Sequence, residues 1–146
     1  MAHDLHAGLA VTLDVGDRFD IHPTQKTVVG ERLARAARAV AYGERIAPGS
    51  PAAVAARRAG GDIVIAYKDT GGGLVTYSAD RAIGFEVCAG KTCRYADARV
   101  QGDTVVLPGA GTPDVTRVRY AWADAPFVNL FGGDDLPAAP FQLDVH

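Results

Sequence analysis

Between Ala7 and Val15 apolar side chains fall on alternate positions, Leu9, Val11, Leu13 and Val15, which is the period of an extended strand with one buried face. From Pro23 to about Tyr42 the period becomes helical: Val29, Leu33, Ala36, Ala37 and Val40 form an apolar stripe, while Lys26, Glu31, Arg35 and Arg38 point elsewhere. Pro23 suits the first helical turn, where its missing N–H costs nothing. Gly30 inside the helix costs about 1 kcal/mol against alanine, which implies another backbone, a strand, passing close by. Tyr42-Gly43 closes the helix, and Ala47-Pro48-Gly49-Ser50-Pro51 makes a turn-rich connector. A domain boundary is placed there, dividing residues 1–46 from 47–146.

Beyond the connector the pattern is β throughout. Segments Asp62 to Tyr67, Leu74 to Tyr77, Ile83 to Val87, Thr104 to Leu107, Val115 to Trp122 and Val128 to Phe131 lie between glycine-rich turns. Alternation is clearest in Val118, Tyr120 and Trp122 against Arg117 and Arg119, which predicts a core face and a solvated face. The fold class expected is α+β: a strand-loop-helix unit followed by a mainly antiparallel β-sandwich.

Composition narrows the functions. An apolar fraction of 48% with 22% charged residues fits a folded domain rather than a disordered chain. A net charge of -2 leaves no basic excess for phosphates, so nucleic acid is not an expected partner. No apolar run approaches bilayer length, so no membrane partner is expected. Cys88 and Cys93 flank a short loop, Ala89-Gly90-Lys91-Thr92, suited to a hairpin. Facing each other they could form a bridge, implying an oxidising compartment; the alternative is two buried thiols. Zinc is disfavoured because no second Cys or His pair has the needed spacing, and no cofactor is implied.

His22 is the residue with most chemical promise. It stands in Asp14-Val15-Gly16-Asp17-Arg18-Phe19-Asp20-Ile21-His22-Pro23, where the first strand ends, an acidic loop follows and the helix begins. A ring at the positive end of a helix resists protonation and so stays available as a base; the plain alternative is a helix-entry residue bonded to a nearby carbonyl. Ser50 and Ser78 are the two serines, one in the connector and one after a strand, and neither lies on a strand-to-helix elbow. His3, His6 and His146 lie near the ends and are read as solvated. Asp134-Asp135 after Gly132-Gly133 is a weak calcium signal. Trp122 and Tyr120 could stack on a sugar, but their alternation favours the core. Arg117 and Arg119 could meet a sugar carboxylate, with a solvated face the plainer reading.

Three blocks resemble one family. Val11 to Ala37, with Asp20-Ile21-His22-Pro23 and Gly30-Glu31-Arg32-Leu33-Ala34, is similar to the closing strand-loop-helix of the sialate O-acetylesterases of the SGNH hydrolase superfamily. Phe85-Glu86-Val87-Cys88 through Cys93-Arg94-Tyr95-Ala96-Asp97-Ala98 resembles that family's cysteine-bearing hairpin, and Val118 to Trp122 with Asn129-Leu130-Phe131 and Leu136 to Phe141 resembles its terminal segment. The resemblance covers about Gly8 to Phe141. It implies that residues 1–46 are the last part of an SGNH α/β hydrolase domain and 47–146 its accessory sandwich. It also makes His22 the general base of a serine esterase acting on O-acetylated sialic acid or another acetylated glycan. The family's companion acid stands three residues before the histidine, where this chain has Phe19. Asp20 is then favoured as the acid over Asp17, with a Ser-His pair lacking an acid as the alternative.

The expectation is thus a C-terminal fragment of an esterase, carrying the base but lacking the nucleophile and oxyanion donors, and inactive alone. Its partners would be a missing N-terminal catalytic half or, through the unpaired strand at Ala7 to Val15, a second copy; the parent would be periplasmic or secreted. The rival reading is a non-catalytic sandwich that binds glycan or a subunit.

Overall fold

A computed structural model describes Asp4 and residues 6–146; His3 lies outside the described residues. One helix, α1 (Lys26–Val40), precedes ten strands: β1 (Ala52–Ala59), β2 (Asp62–Lys68), β3 (Leu74–Thr76), β4 (Phe85–Ala89), β5 (Thr92–Tyr95), β6 (Arg99–Gln101), β7 (Thr104–Leu107), β8 (Arg117–Tyr120), β9 (Leu130–Gly132) and β10 (Phe141–Asp144). The α+β class expected from the sequence is observed, with the helix first and antiparallel strands after it.

Two four-stranded sheets, β1-β2-β7-β6 and β10-β8-β4-β5, carry the core, and β3 pairs with β9 in a small third sheet. Ile63, Ile65 and Tyr67 of β2 with Val105 and Leu107 of β7 join Phe85, Val87, Val118 and Tyr120 of the other sheet in one buried cluster. These positions alternate along their strands, so each sheet presents one apolar face inward. The sheets are stitched at one edge, where Ala56 bridges Val145 and Arg58 and His146 exchange backbone contacts with the opposite strand. Burial raises the phenol pKa of both Tyr67 and Tyr120, because the low-dielectric interior disfavours the phenolate.

β1 was not foreseen. Its sequence, AAVAARRA, is rich in helix-favouring alanine and arginine, yet it pairs along its length with β2, with one irregularity between Ala53 and Ala55. Sheet pairing here overrides local propensity.

The N-terminal region departs from the expected strand. Residues 7–15 form no β-ladder; the segment instead lies on α1, burying Val11 and Val15 and leaving Leu9 exposed. A strand exists only where another strand accepts its hydrogen bonds, and here α1 is the neighbour. Gly8 allows that approach, since a Cβ there would meet the Ala36 methyl at 2.9 Å. Around Gly30, where a passing backbone was expected, the space is open.

α1 begins at Lys26, not near Pro23, after a Gln25 cap whose side chain makes no capping bond. Its inward face also differs from the predicted stripe. Leu33 is exposed, and the residues turned inward include Arg32, Arg35 and Ala36. Arg32 donates to both carboxylate oxygens of Asp14, at 2.6 and 2.7 Å, and to the Val11 carbonyl at 2.8 Å. Arg35 donates to the Ala47 carbonyl at 3.0 Å and to Asp134 at 2.6 Å, fastening the helix to the sandwich. That pairing occupies one oxygen of the Asp134 carboxylate with an arginine.

Candidate functional site

The loop between residues 16 and 25 is shaped by its own carboxylates. Asp17 Oδ1 accepts the backbone N–H groups of Phe19 (2.8 Å) and Asp20 (3.2 Å), folding the chain into a tight turn. Asp20 Oδ1 in turn accepts the N–H of His22 at 2.8 Å. That bond brings the same oxygen to 3.7 Å from His22 Nδ1. The distance is beyond a hydrogen bond and within reach of a small rotation of either side chain. Asp20 therefore adjoins the ring nitrogen that a companion acid would hold, while Asp17 spends its carboxylate on the backbone.

His22 itself is open, with 78% of its side chain exposed, and its neighbours Phe19 and Ile21 are 98% and 90% exposed. Two large apolar side chains flanking an exposed imidazole form a surface that water serves poorly. The ring lies three residues before the helix cap, so the helix end is not its immediate surrounding. Among the described residues no hydroxyl is hydrogen-bonded to the ring. Ser78 sits in a turn with φ 63°, and Ser50 lies in the connector.

The loop is clasped from one side. Arg18 places its guanidinium 3.8 Å from the centre of the Phe127 ring and donates to the Ala125 carbonyl. A cleft of about 580 Å³ opens there, walled by Asp14, Asp17 and Arg18 on one side and by Asp124 and Phe127 on the other. Across Pro126 and Phe127 it adjoins a second cavity of about 400 Å³, lined in part by Arg81, Ile83, Tyr95, Asp97 and Trp122.

Trp122 corrects the alternation argument. Val118 and Tyr120 are fully buried as predicted, but Trp122 is 52% exposed. β8 ends at Tyr120, and Ala121 adopts φ 52°, which breaks the two-residue period and turns the indole outward. The two arginines of β8 are not free on a solvated face either. Arg119 forms a bidentate pair with Glu86 at 2.8 and 3.0 Å, and Arg117 donates to the Gly90 carbonyl.

Cys88 and Cys93 are joined in a disulfide across the β4-β5 hairpin, where they are direct register partners. The bridge fixes β5, and with it the Tyr95 end of the second cavity. His6 and His146 are exposed. The exposed rings of Tyr95 and Phe127 escaped the sequence reading; the only local hint at Phe127 is its place beside Pro126 in a turn-like stretch. No helix among the described residues is long and apolar enough to cross a membrane.

A carbohydrate acetylesterase from Xanthomonas citri, known from its crystal structure, is similar to this chain at 37% identity with a TM-score of 0.79. The similarity covers 90% of this chain and 31% of that enzyme, so the chain spans about a third of the length of the enzyme it matches. No family model matches, and no curated protein does. The esterase-related character of the fold rests on this neighbour.

Proposed function

We propose that this chain is the C-terminal portion of a carbohydrate O-acetylesterase of the SGNH type, in which His22 is the general base and Asp20 its orienting acid. The observation that carries the reading is the likeness, across nine-tenths of the chain, to one part of a carbohydrate acetylesterase. It is supported by the Asp20 carboxylate lying 3.7 Å from His22 Nδ1. The serine and the oxyanion donors are assigned to residues outside these 146.

In that assembly the serine Oγ attacks the acetyl carbonyl as His22 Nε2 takes its proton, and Asp20 holds Nδ1 and balances the imidazolium. The tetrahedral intermediate collapses with release of the sugar oxygen, which receives the proton from His22. Water, deprotonated by the same ring, then frees acetate and restores the serine. The two serines of this chain lie in turns and neither lies on a strand-to-helix elbow, so in this reading the chain alone supplies the proton carrier without the nucleophile. O-acetylated sialic acid is one substrate the family likeness brings; another acetylated glycan is the broader class. The disulfide fits a parent enzyme of the periplasm or exterior.

The test exchanges the matching third of the Xanthomonas citri enzyme for this chain and follows hydrolysis of 4-methylumbelliferyl acetate. The isolated chain should show no His22-dependent rate. The chimera should hydrolyse the ester and lose activity by about 10⁴-fold in His22→Ala, with a smaller loss in Asp20→Asn. A chimera that melts cooperatively yet keeps its rate in His22→Ala would refute the assignment, as would a His22-dependent rate in the isolated chain.

A further inference from the structure

We infer that the cavity between Tyr95, Trp122 and Phe127 is a subsite for an uncharged pyranose unit of the carbohydrate, next to the His22 loop. The inference takes its ligand class from the carbohydrate-esterase reading, but binding requires neither the serine nor the base. Three aromatic side chains from two parts of the chain surround the cavity, and all are solvent-facing: Tyr95 at 76%, Trp122 at 52% and Phe127 at 74% exposure. A sugar ring offers an apolar C–H face and a polar rim, which is what flat rings edged by hydrogen-bonding groups accommodate.

The outward indole is a built feature. Ala121 reaches its left-handed conformation with its N–H bonded to the Gly84 carbonyl at 3.0 Å, and Gly84 itself has φ 90°. A non-glycine residue held there by a hydrogen bond to a second left-handed residue is unusual backbone, of the kind found where a side chain is displayed for use. The Asn129 side chain braces the same wall, accepting the Ile83 N–H at 2.9 Å and donating to the Arg81 carbonyl at 2.9 Å.

Charge selects the kind of sugar. Of the charged residues lining the cavity, Arg81 is paired with Asp97 at 2.8 Å, and Glu86 is held by Arg119. The carboxylates keep lone pairs for sugar hydroxyls, while the one cation lining this cavity, Arg81, is matched by Asp97; Arg18, over the Phe127 ring, belongs to the adjoining cleft. An uncharged pyranose fits better than a sialic acid. Phe127 and Pro126 are shared with the neighbouring cleft, whose other wall includes Asp17 and Arg18, so a saccharide stacked on Trp122 would continue towards the His22 loop.

The chain has a single tryptophan, which makes its emission a direct report on this cavity. Cellotetraose, its O-acetylated derivative and an O-acetylated sialyllactose are titrated into the intact chain, with amide shifts of Gly84 and Ala123 recorded alongside. A saturable change with a neutral tetrasaccharide in the millimolar range or tighter, weakened about tenfold in Phe127→Ala and Tyr95→Ala, supports the subsite. No saturable change, shifts confined to other residues, or preference for the sialoside overturns it. So does an indole already covered in the sugar-free chimera. Sugar binding that survives while the chimera shows no His22-dependent hydrolysis would sink the esterase reading and leave the subsite standing.

Discussion

Asp14→Ala tests how the His22 loop is held. Arg32 is 9% exposed, and its guanidinium makes two bonds to Asp14 and one to the Val11 carbonyl. Removing the carboxylate leaves a buried cation with one neutral acceptor. A hydrogen bond to a charged group contributes about 1.5–3 kcal/mol, and the half-open setting of Asp14, at 20% exposure, reduces that contribution. The expected loss is about 2–4 kcal/mol, against about 0–1 kcal/mol for an exposed pair. Because the pair joins residues 11–14 to α1 and not to either sheet, the loss should be local. Amide exchange would accelerate at residues 11–15 and in the first turns of α1, with protection in β2, β4, β7 and β8 retained. Asp14→Asn, which keeps one acceptor, should recover part of it. The double variant Asp14→Leu with Arg32→Met should recover most, since apolar packing replaces a buried pair at little cost. A change below about 0.5 kcal/mol, or equal loss of protection through the sheets, would refute the reasoning.

The buried tyrosines predict alkaline sensitivity. Burial holds the phenol pKa of Tyr67 and Tyr120 above the unfolded value of about 10. Below that pH both states keep the proton and the stability is complete; above it only the unfolded chain ionises, so stability falls by about 1.4 kcal/mol per pH unit for each tyrosine. Among the described residues the Tyr67 hydroxyl has no hydrogen-bond partner, so Tyr67→Phe should fold well and flatten the decline in urea melts above about pH 10; an unchanged slope would count against the assignment. For the hairpin, the cysteines are five residues apart in sequence, and closing so short a loop contributes about 2 kcal/mol. Cys88→Ala with Cys93→Ala should lower stability by that amount, and dithiothreitol should reproduce the loss in the parent chain. An identical melt with and without reductant would mean that the bridge is not formed in solution.

Local signals made part of this molecule legible. β-type segments between turns located β2, β3, β4, β7, β8 and β9, and β2, β7 and β8 bury every second residue in a shared core. The cysteine hairpin was readable because its strands are joined by the two-residue turn Gly90-Lys91. The contact between Asp20 and His22 spans two residues and is set by a carboxylate accepting the next-but-one N–H, so it too belongs to the sequence.

What spans the fold was not legible. Part of the helix face was misassigned: Ala36 of the predicted stripe is buried, but Arg35, read as pointing elsewhere, finds Asp134 across 99 residues and Arg32 finds Asp14 across 18, turning charged positions inward. β1 became a strand because β2 offered it a ladder, and residues 7–15 failed to become one because no strand did. Trp122 left the core at one left-handed residue, and Arg18 met the carbonyl of Ala125 across 107 positions. Periodicity records what each residue requires of its immediate neighbours. Which distant group satisfies a buried charge, an open N–H or an aromatic face is decided only when the chain closes on itself.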